Sequence, residues 1–188
     1  NGRPWAIYGD EQGPAVASDL SNLGELRRDS LWGNLMGGGA GVEWYFGYQG
    51  NDFGDLQSED WRVVQGLWED TRHAVDFFQS YLPFWEMTPD NSLISQTNGK
   101  PYALTQSDEI IVVYLRRSDG INLVNLPNSN TLYDVFWYNP RTGGELLRGN
   151  VTQISGSTPQ SIGTPPTEVT EDWAALITVA GTVSTDPT

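Results

Sequence analysis

The chain changes its pattern of secondary structure near residue 95, and this change limits the folds that are open to it. Before that point, two short β-compatible apolar runs, residues 5–11 and 41–47, alternate with two predicted helices. Such alternation is typical of parallel strands joined by helical crossovers. Residues 1–94 are therefore predicted to be an α/β layer or part of a (β/α) barrel, although two strands alone make neither.

Both predicted helices have recognisable ends. The first begins at Asn22, where Glu25 completes a capping-box pattern, and it ends at the glycines 37–39. The second begins after Ser58 and ends at Pro83. Its apolar residues recur at three- and four-residue steps, and the predicted buried stripe consists of Trp61, Val64, Trp68, Val75, Phe78 and Leu82.

After residue 95 the predicted strands follow one another with turn residues between them. Candidate strands are residues 102–105, 109–115, 121–126, 132–138, 145–147 and 173–179. This pattern predicts a small antiparallel β-sandwich over residues 95–188. Residues 155–170, which are rich in Ser, Thr, Pro and Gly, are predicted to be a long surface loop.

Charge and composition exclude several classes of function. The 188 residues include 24 acidic and 10 basic residues, a formal net charge of −14 that repels nucleic acids and anionic membranes. Without cysteine the chain has neither disulfides nor thiolate metal ligands. No apolar run approaches the ~20 residues that span a bilayer. The residues given include no secretion signal, but the low lysine content and the sequon at Asn150 favour an extracellular or periplasmic setting.

Two carboxylates end the first predicted strand. Asp10 and Glu11 stand at its carboxyl end, where parallel β/α proteins bind ligands and place catalytic side chains. Side chains alternate along a strand, so Asp10 and Glu11 point to opposite sides and only one of them faces a shared pocket. The alternative interpretation is that these acids form a turn or cap the next helix.

The second predicted strand carries another acid in aromatic company. Glu43 precedes Trp44, Tyr45 and Tyr48, and aromatic rings beside carboxylates suit a sugar. Glycoside hydrolysis commonly uses two carboxyl groups. Two alternatives stay open: the rings belong to a hydrophobic core, and Glu43 is a buried structural acid paired with an arginine (Arg27, Arg28 or Arg62).

Other catalytic and metal-binding patterns have little support. His73 is the single histidine and lies off the predicted helical stripe, so it is predicted to be exposed and outside any Ser-His-Asp triad. A set of oxygen-bearing residues fits no EF-hand spacing, and a solvated helix start explains it better: Asn51, Asp52, Asp55, Glu59 and Asp60. We therefore predict neither a metal nor a cofactor.

Several longer segments resemble a known family. "RPWAIYGDEQGPA", "LWGNLMGGGAGVEWYFGYQ" and "DLQSEDWR" resemble the end of the catalytic barrel in the apiosidase-like glycoside hydrolases. "KPYALTQSDEIIVVYL" and "FWYNPRTGG" resemble the β-sandwich that follows that barrel and carries a collagen-binding label. The resemblance covers nearly the whole chain. It implies the last two β/α units of a (β/α)8 barrel over residues 1–94, followed by the sandwich over residues 95–188.

The resemblance also implies roles for single residues. Residues 5–11 and 41–47 would be strands seven and eight, and Glu11 matches the glutamate that retaining hydrolases of this type use as nucleophile. Asp10 would orient Glu11 or bind a hydroxyl. The remaining substrate-binding candidates are Glu43, Trp44, Tyr45 and Tyr48. The sandwich is expected to pack against the barrel rather than to bind collagen.

The resemblance is incomplete, because a barrel of this kind takes ~250 residues and eight strands. The acid/base residue is expected on an earlier strand, so this chain alone is expected to be inactive. We expect it to need the N-terminal barrel portion, as a separate chain or a lost segment, and to contact it through Trp5, Ile7 and the helix at Leu23 to Leu35. The expected substrate is a carbohydrate. The alternative is a non-catalytic carbohydrate-binding or structural assembly protein.

Overall fold

A computed structural model describes residues 6–12, 23–44, 62, 65–127, 130–156 and 159–182. The helical elements are α1 (Leu23–Glu25), a π-helical segment (Leu26–Leu31), α2 (Trp32–Met36), α3 (Gln65–Tyr81) and two 3-10 turns (Phe84–Glu86 and Asn91–Leu93). The strands before residue 110 are β1 (Tyr8–Gln12), β2 (Gly41–Trp44), β3 (Thr88–Pro89), β4 (Ile94–Gln96) and β5 (Tyr102–Gln106). The later strands are β6 (Ile110–Leu115), β7 (Leu123–Val124), β8 (Leu132–Tyr138), β9 (Gln153–Ser155), β10 (Gln160–Ser161) and β11 (Trp173–Val179).

The first two strands form a parallel pair, as their helical connection predicts. Tyr8 lies opposite Gly41, and Gly9 lies opposite Val42. The connection between them includes α1, the π-helical segment and α2. Parallel pairing through a helical crossover is thus confirmed, whereas two strands do not by themselves define a barrel.

Glycines end the first helical run at the predicted place. Gly38 has a φ of +79°, a left-handed conformation that glycine adopts without a steric cost. The Gly38 amide donates to the Leu35 carbonyl, and the Gly39 amide donates to the Asn34 carbonyl. These two bonds are those of a Schellman motif, and they turn the chain directly into β2.

Helix α3 buries a stripe that is rotated from the predicted one. Its buried residues are Leu67, Asp70, His73, Ala74, Phe77 and Phe78. Val75 is exposed and Trp68 is half-buried, while Trp61 and Val64 lie outside the described residues. The prediction that His73 is exposed is wrong, because the turn at Gly143 covers its ring. The sequence pattern cannot show this, since that turn lies far along the chain.

The second half of the chain is an antiparallel β-sandwich, as predicted. In the described residues, one sheet has six strands in the order β3-β5-β6-β11-β8-β9, and a second has three strands in the order β10-β7-β4. Strand β11 is central and pairs with both β6 and β8. The bounds predicted for residues 132–138 and 173–179 agree with β8 and β11.

Both faces of the six-stranded sheet are buried, because successive side chains point to opposite faces. One face packs against the smaller sheet, and its core includes Val113, Val135 and Ala175. The other face packs against α2 and α3, and this second core includes Trp32, Phe77, Tyr114, Phe136 and Leu176. The sandwich therefore packs against the helices that follow β1 and β2.

Other predictions for the second half are corrected. Residues 155–170 are not simply a surface loop, since this region includes β10 and the fully buried Ile162. The predicted strand at 145–147 is reduced to a bridge between Leu147 and Trp137, and the strand at 121–126 shortens to β7. Four strands of two or three residues had no strong sequence pattern: β3, β4, β9 and β10. Within the described ranges, no helix combines the length and apolarity needed to cross a bilayer.

Candidate functional site

The predicted acids lie together at the carboxyl ends of the parallel strands. Gly9 pairs with Val42 and Gln12 pairs with Trp44, so two residues of β1 stand opposite one residue of β2. The two residues are Asp10 and Glu11, and the one opposite them is Glu43. An extra residue in one strand bends it and changes the direction of its side chains. The register therefore brings three carboxylate-bearing residues to one level of the pair.

The described side chains at this level reach solvent. Asp10 and Glu43 are both exposed. The alternative interpretation of Glu43 is therefore wrong in one part: the residue is not buried. The backbone of Glu11 lies within β1, but its side chain is outside the described part of the structure, as are residues Tyr45 and Tyr48.

Trp44 is held by a short hydrogen-bond chain. It is half-buried, and its Nε1 donates to Thr71 Oγ1 at 2.9 Å. Thr71 Oγ1 donates in turn to the Leu67 carbonyl of α3 at 2.7 Å. The ring also packs beside the helical core. Trp44 thus ties the end of β2 to α3 and has a fixed position beside the acids.

A buried charge cluster, which the sequence did not reveal, lies behind the parallel pair. It consists of Arg27, Asp70, Tyr114, Arg141 and Asp172. Arg27 of the π-helical segment donates from Nε and Nη2 to the two oxygens of Asp172, at 3.0 and 2.8 Å. Tyr114 Oη donates to Asp172 Oδ2 at 2.8 Å. Both partners of Asp172 are buried, so water does not compete for these bonds.

Two further members complete the cluster. Arg27 Nη1 lies 3.4 Å from Asp70 Oδ2 on α3. Arg141 donates to the Asp172 backbone carbonyl and also bridges to Glu168 at 2.8 Å. The guanidinium of Arg141 stacks over the Trp173 ring at 5.3 Å from its centroid. The cluster therefore joins the helices of the first half to the sandwich.

The pKa values of the two buried carboxyls of the cluster, Asp70 and Asp172, are shifted in opposite directions. Burial alone raises the pKa of Asp172, but the hydrogen bonds and charge of Arg27, with the Tyr114 hydroxyl, hold that pKa below its usual value. Burial raises the pKa of Asp70 to about 6, because its longer contact with Arg27 compensates only in part. Arg27 thus stabilises the charged form of Asp172 more strongly than that of Asp70.

The environment of His73 disfavours its charged form. Burial and the neighbouring charge of Arg72 lower the pKa of His73. The ring lies against the turn of Asn139 to Gly144, and the Tyr138 hydroxyl donates to the His73 carbonyl at 2.7 Å. His73 therefore belongs to the contact between α3 and the sandwich rather than to a solvent-facing triad.

Metal ligands are not clustered in the described part of the chain. There, no group of three or more His, Cys, Asp or Glu side chains is placed to hold a metal ion. The five oxygen-bearing residues considered above as calcium ligands, residues 51–60, lie outside the described residues.

Comparisons with known proteins agree with this architecture. A family model described as "Putative collagen-binding domain of a collagenase" matches residues 88–178, which make up most of the sandwich. No curated protein matches the chain.

Two solved structures have a similar fold. A glycoside hydrolase family 5 protein from Bacteroides vulgatus is similar over 97% of this chain and 42% of its own, with a TM-score of 0.65 and 19% identity. A second structure, titled as a glycoside hydrolase, is similar over 84% of this chain and 37% of its own, with a TM-score of 0.60 and 14% identity. This chain thus spans less than half the length of these structures. At such identities the likeness is one of fold.

Proposed function

We propose that this chain is the C-terminal part of a glycoside hydrolase, with the last two β/α units of its barrel in residues 1–94 and a sandwich in residues 95–188. The observation that carries the proposal is the parallel pair of β1 and β2, whose register places Asp10, Glu11 and Glu43 at one carboxyl end. Among glycoside hydrolases, the sequence motifs favour the apiosidase-like family. The fold likeness to two glycoside hydrolases supports it.

In the proposed retaining mechanism, Glu11 is the nucleophile. Its ionised carboxylate attacks the anomeric carbon, and the leaving oxygen takes a proton from an acid residue on an earlier strand. Water then attacks the sugar and releases it from Glu11, and the residue on the earlier strand accepts a proton from that water. Asp10 orients Glu11 or binds a hydroxyl, and Glu43, Trp44, Tyr45 and Tyr48 shape the sugar site.

The remaining barrel strands are proposed to come from an N-terminal portion of the same protein. Ile7 is 67% exposed and Tyr8 is 58% exposed at the start of β1, where a neighbouring strand would cover them. The substrate is proposed to be a neutral glycan, which suits a net charge of −14, and the setting is proposed to be secreted or periplasmic.

The sandwich is proposed to support the barrel. The six-stranded sheet buries one face against α2 and α3 and the other against the smaller sheet. A strand face that binds a polymer needs exposed side chains, and neither face of this sheet offers a continuous exposed row. Support of the helices is thus the function that the described packing favours for this part of the chain.

The test is Glu11→Gln in the complete protein, assayed on a panel of plant and microbial glycans. The variant removes the nucleophilic carboxylate but keeps the size and shape of the side chain. Turnover should therefore fall by about 10³-fold or more, while the unfolding midpoint is unchanged. Glu145→Gln, at an exposed residue of the sandwich, is the matched control and should keep normal turnover. Near-normal activity of Glu11→Gln would remove Glu11 from the mechanism.

A second candidate is a non-catalytic carbohydrate-binding or structural assembly protein. The family model over residues 88–178 favours it, because its description names a binding domain. This candidate predicts that the complete protein binds glycans or a protein partner without turnover, and that no acid on an earlier strand stands within reach of Glu11.

A further inference from the structure

We infer that Asp172, a residue of the sandwich, is a positioning residue for the acids at the ends of β1 and β2. It would act through Arg27 and the π-helical segment, and the inference rests on the proposed function. The test has two parts, hydrogen exchange and kinetics. The exchange part does not measure catalysis, so the inference can be tested separately from the proposed function.

The first step is the strength of the attachment between Asp172 and Arg27. The side chain of Asp172 is fully buried, and both of its oxygens accept from Arg27 in a bidentate pair. Tyr114 and Arg141 occupy the remaining positions around the carboxylate. A bidentate, buried pair fixes both the distance and the orientation of the guanidinium.

The second step is the path from Arg27 to the acids. The π-helical segment that carries Arg27 contacts both β1 and β2. The run continues into α2, where Asn34 Oδ1 accepts from the Gly41 amide at 3.2 Å, and the Ala40 amide donates to the Ile7 carbonyl. The strands that hold Asp10, Glu11 and Glu43 thus rest on the segment that Asp172 anchors.

A second ion pair attaches the same segment to the sandwich. Asp29 lies 2.9 Å from Arg116, which follows β6. This pair is partly exposed and contributes little alone, but it restrains the same turn at a second point. The π-helical geometry is itself a local departure from the α-helix of the kind that often occurs at functional sites.

The experiment uses the complete protein and compares Asp172→Asn with Asp134→Asn. Asp134 is the matched control, because it is also a buried sandwich carboxylate, but its partners are Arg148, Gln153 and Gly181 of the sandwich itself. Hydrogen exchange is measured at the Ala40 and Gly41 amides, and kcat and KM are measured well below the unfolding midpoint of each variant.

Asp172→Asn should speed exchange at Ala40 and Gly41 by about tenfold or more, since it releases the segment beneath these amides. It should lower kcat by about tenfold or more with little change in KM, because misplaced catalytic groups affect the transition state more than binding. Asp172→Glu, which keeps the charge, should recover part of kcat. Asp134→Asn should leave the exchange rates and kcat unchanged even where it lowers stability.

Three results would overturn the inference: unchanged exchange in Asp172→Asn, an unchanged kcat in an active protein, or the same exchange and kcat changes in Asp134→Asn. A complete protein with no hydrolase activity would defeat the proposed function, and the exchange rates would still decide whether Asp172 positions the strands. If Asp172→Asn does not fold, Tyr114→Phe removes one bond from the carboxylate. That variant should then speed exchange at Ala40 and Gly41 by a smaller factor, and unchanged rates would refute the inference.

Discussion

The six-stranded sheet and the parallel pair β1–β2 differ in both composition and burial. Strands β6, β8 and β11 are rich in aromatic and β-branched residues, whereas β1 and β2 combine single apolar residues with glycine and acids. In the sheet, side chains of β6, β8 and β11 are buried on both faces. In the parallel pair, Ile7 and Tyr8 are mainly exposed, and the residues of β2 are half-buried or exposed. The strands of the sheet therefore form a closed layer, and the parallel pair forms an open one.

This difference indicates where each region obtains its stability. The sheet is stabilised by contacts within the described residues, with helices on one face and strands on the other. The parallel pair contacts the π-helical segment and α2, and its Ile7 and Tyr8 side chains are mainly exposed. Variants at the helix–sheet contact should therefore lower the stability of both regions, whereas the effect of a variant within one region should be confined to that region.

Trp32→Ala is expected to have the largest effect. Trp32 is fully buried between α3 and the sheet, and its ring stacks on Tyr114 at a centroid distance of 4.9 Å. The cavity should lower the free energy of unfolding by about 4 kcal/mol in chemical denaturation. Trp85, which is 72% exposed, supplies the control, and Trp85→Ala should change stability by less than about 0.5 kcal/mol. Equal losses in the two variants would mean that the helices do not depend on this contact.

Arg27→Met is expected to follow. It leaves the buried Asp172 carboxylate without its bidentate partner, which should cost about 3 kcal/mol in the same measurement. The double variant Arg27→Met/Asp172→Leu removes both charges and should regain most of that loss. A double variant that is as unstable as the single one would show that packing of Arg27, rather than the charge pair, is what stabilises the contact.

Gly143→Ala should have an intermediate effect on the same contact. Gly143 has a φ of +62°, and a Cβ there would lie 2.4 Å from Cδ2 of the buried His73. Gly144 also has a positive φ, +95°, but a Cβ there meets no atom within 4 Å. Thermal or chemical unfolding should show a loss of about 2 kcal/mol for Gly143→Ala and about 1 kcal/mol for Gly144→Ala. Equal losses would mean that the His73 ring moves aside.

The last expected effect is a pH dependence at Asp70. Its pKa is about 6 in the folded protein and lies above the unfolded value of 3.8, so the folded state binds the proton more tightly. The contribution of Asp70 to stability is therefore complete below pH 3.8 and is lost as the pH rises through 6.

Asp70→Asn removes this titration. The stability of the wild type relative to the variant should fall by on the order of 2 kcal/mol between pH 4 and pH 7, as measured by denaturation across that range. Titrating groups that are not coupled to Asp70, including His73, are common to both proteins and cancel in the difference. A difference that stays constant with pH would contradict the raised pKa.

Local patterns predicted the elements that have strong local signals. The parallel pairing, the glycine end of α2 and the bounds of β8 and β11 follow from periodicity, β-branched content and turn residues. The short strands β3, β4, β9 and β10 were missed, because two or three residues are too few to show an alternation. Ile162 lies within the Ser- and Pro-rich segment 155–170, and the polar composition of that segment gave no sign that Ile162 is a core residue.

The candidate site was predictable only in part. Asp10, Glu11 and Glu43 were recognisable as acids within two short predicted strands, and the register then places them together. The pair of Arg27 and Asp172 spans 145 residues, and nothing next to either residue in the sequence marks the other. The burial of His73 likewise depends on a turn some 70 residues away. Contacts of this kind are set by tertiary packing, which no local pattern records.

The central place of β11 has a consequence for how the chain folds. Among the described residues, 173–179 form the last strand of their sheet in sequence, yet they separate β6 from β8. During synthesis, β6 and β8 emerge first and must wait for β11 before either can bond to its native neighbour in the middle of the sheet. The surface that receives Trp32 and Phe77 thus forms late, and until then these aromatic side chains stay exposed and can promote aggregation.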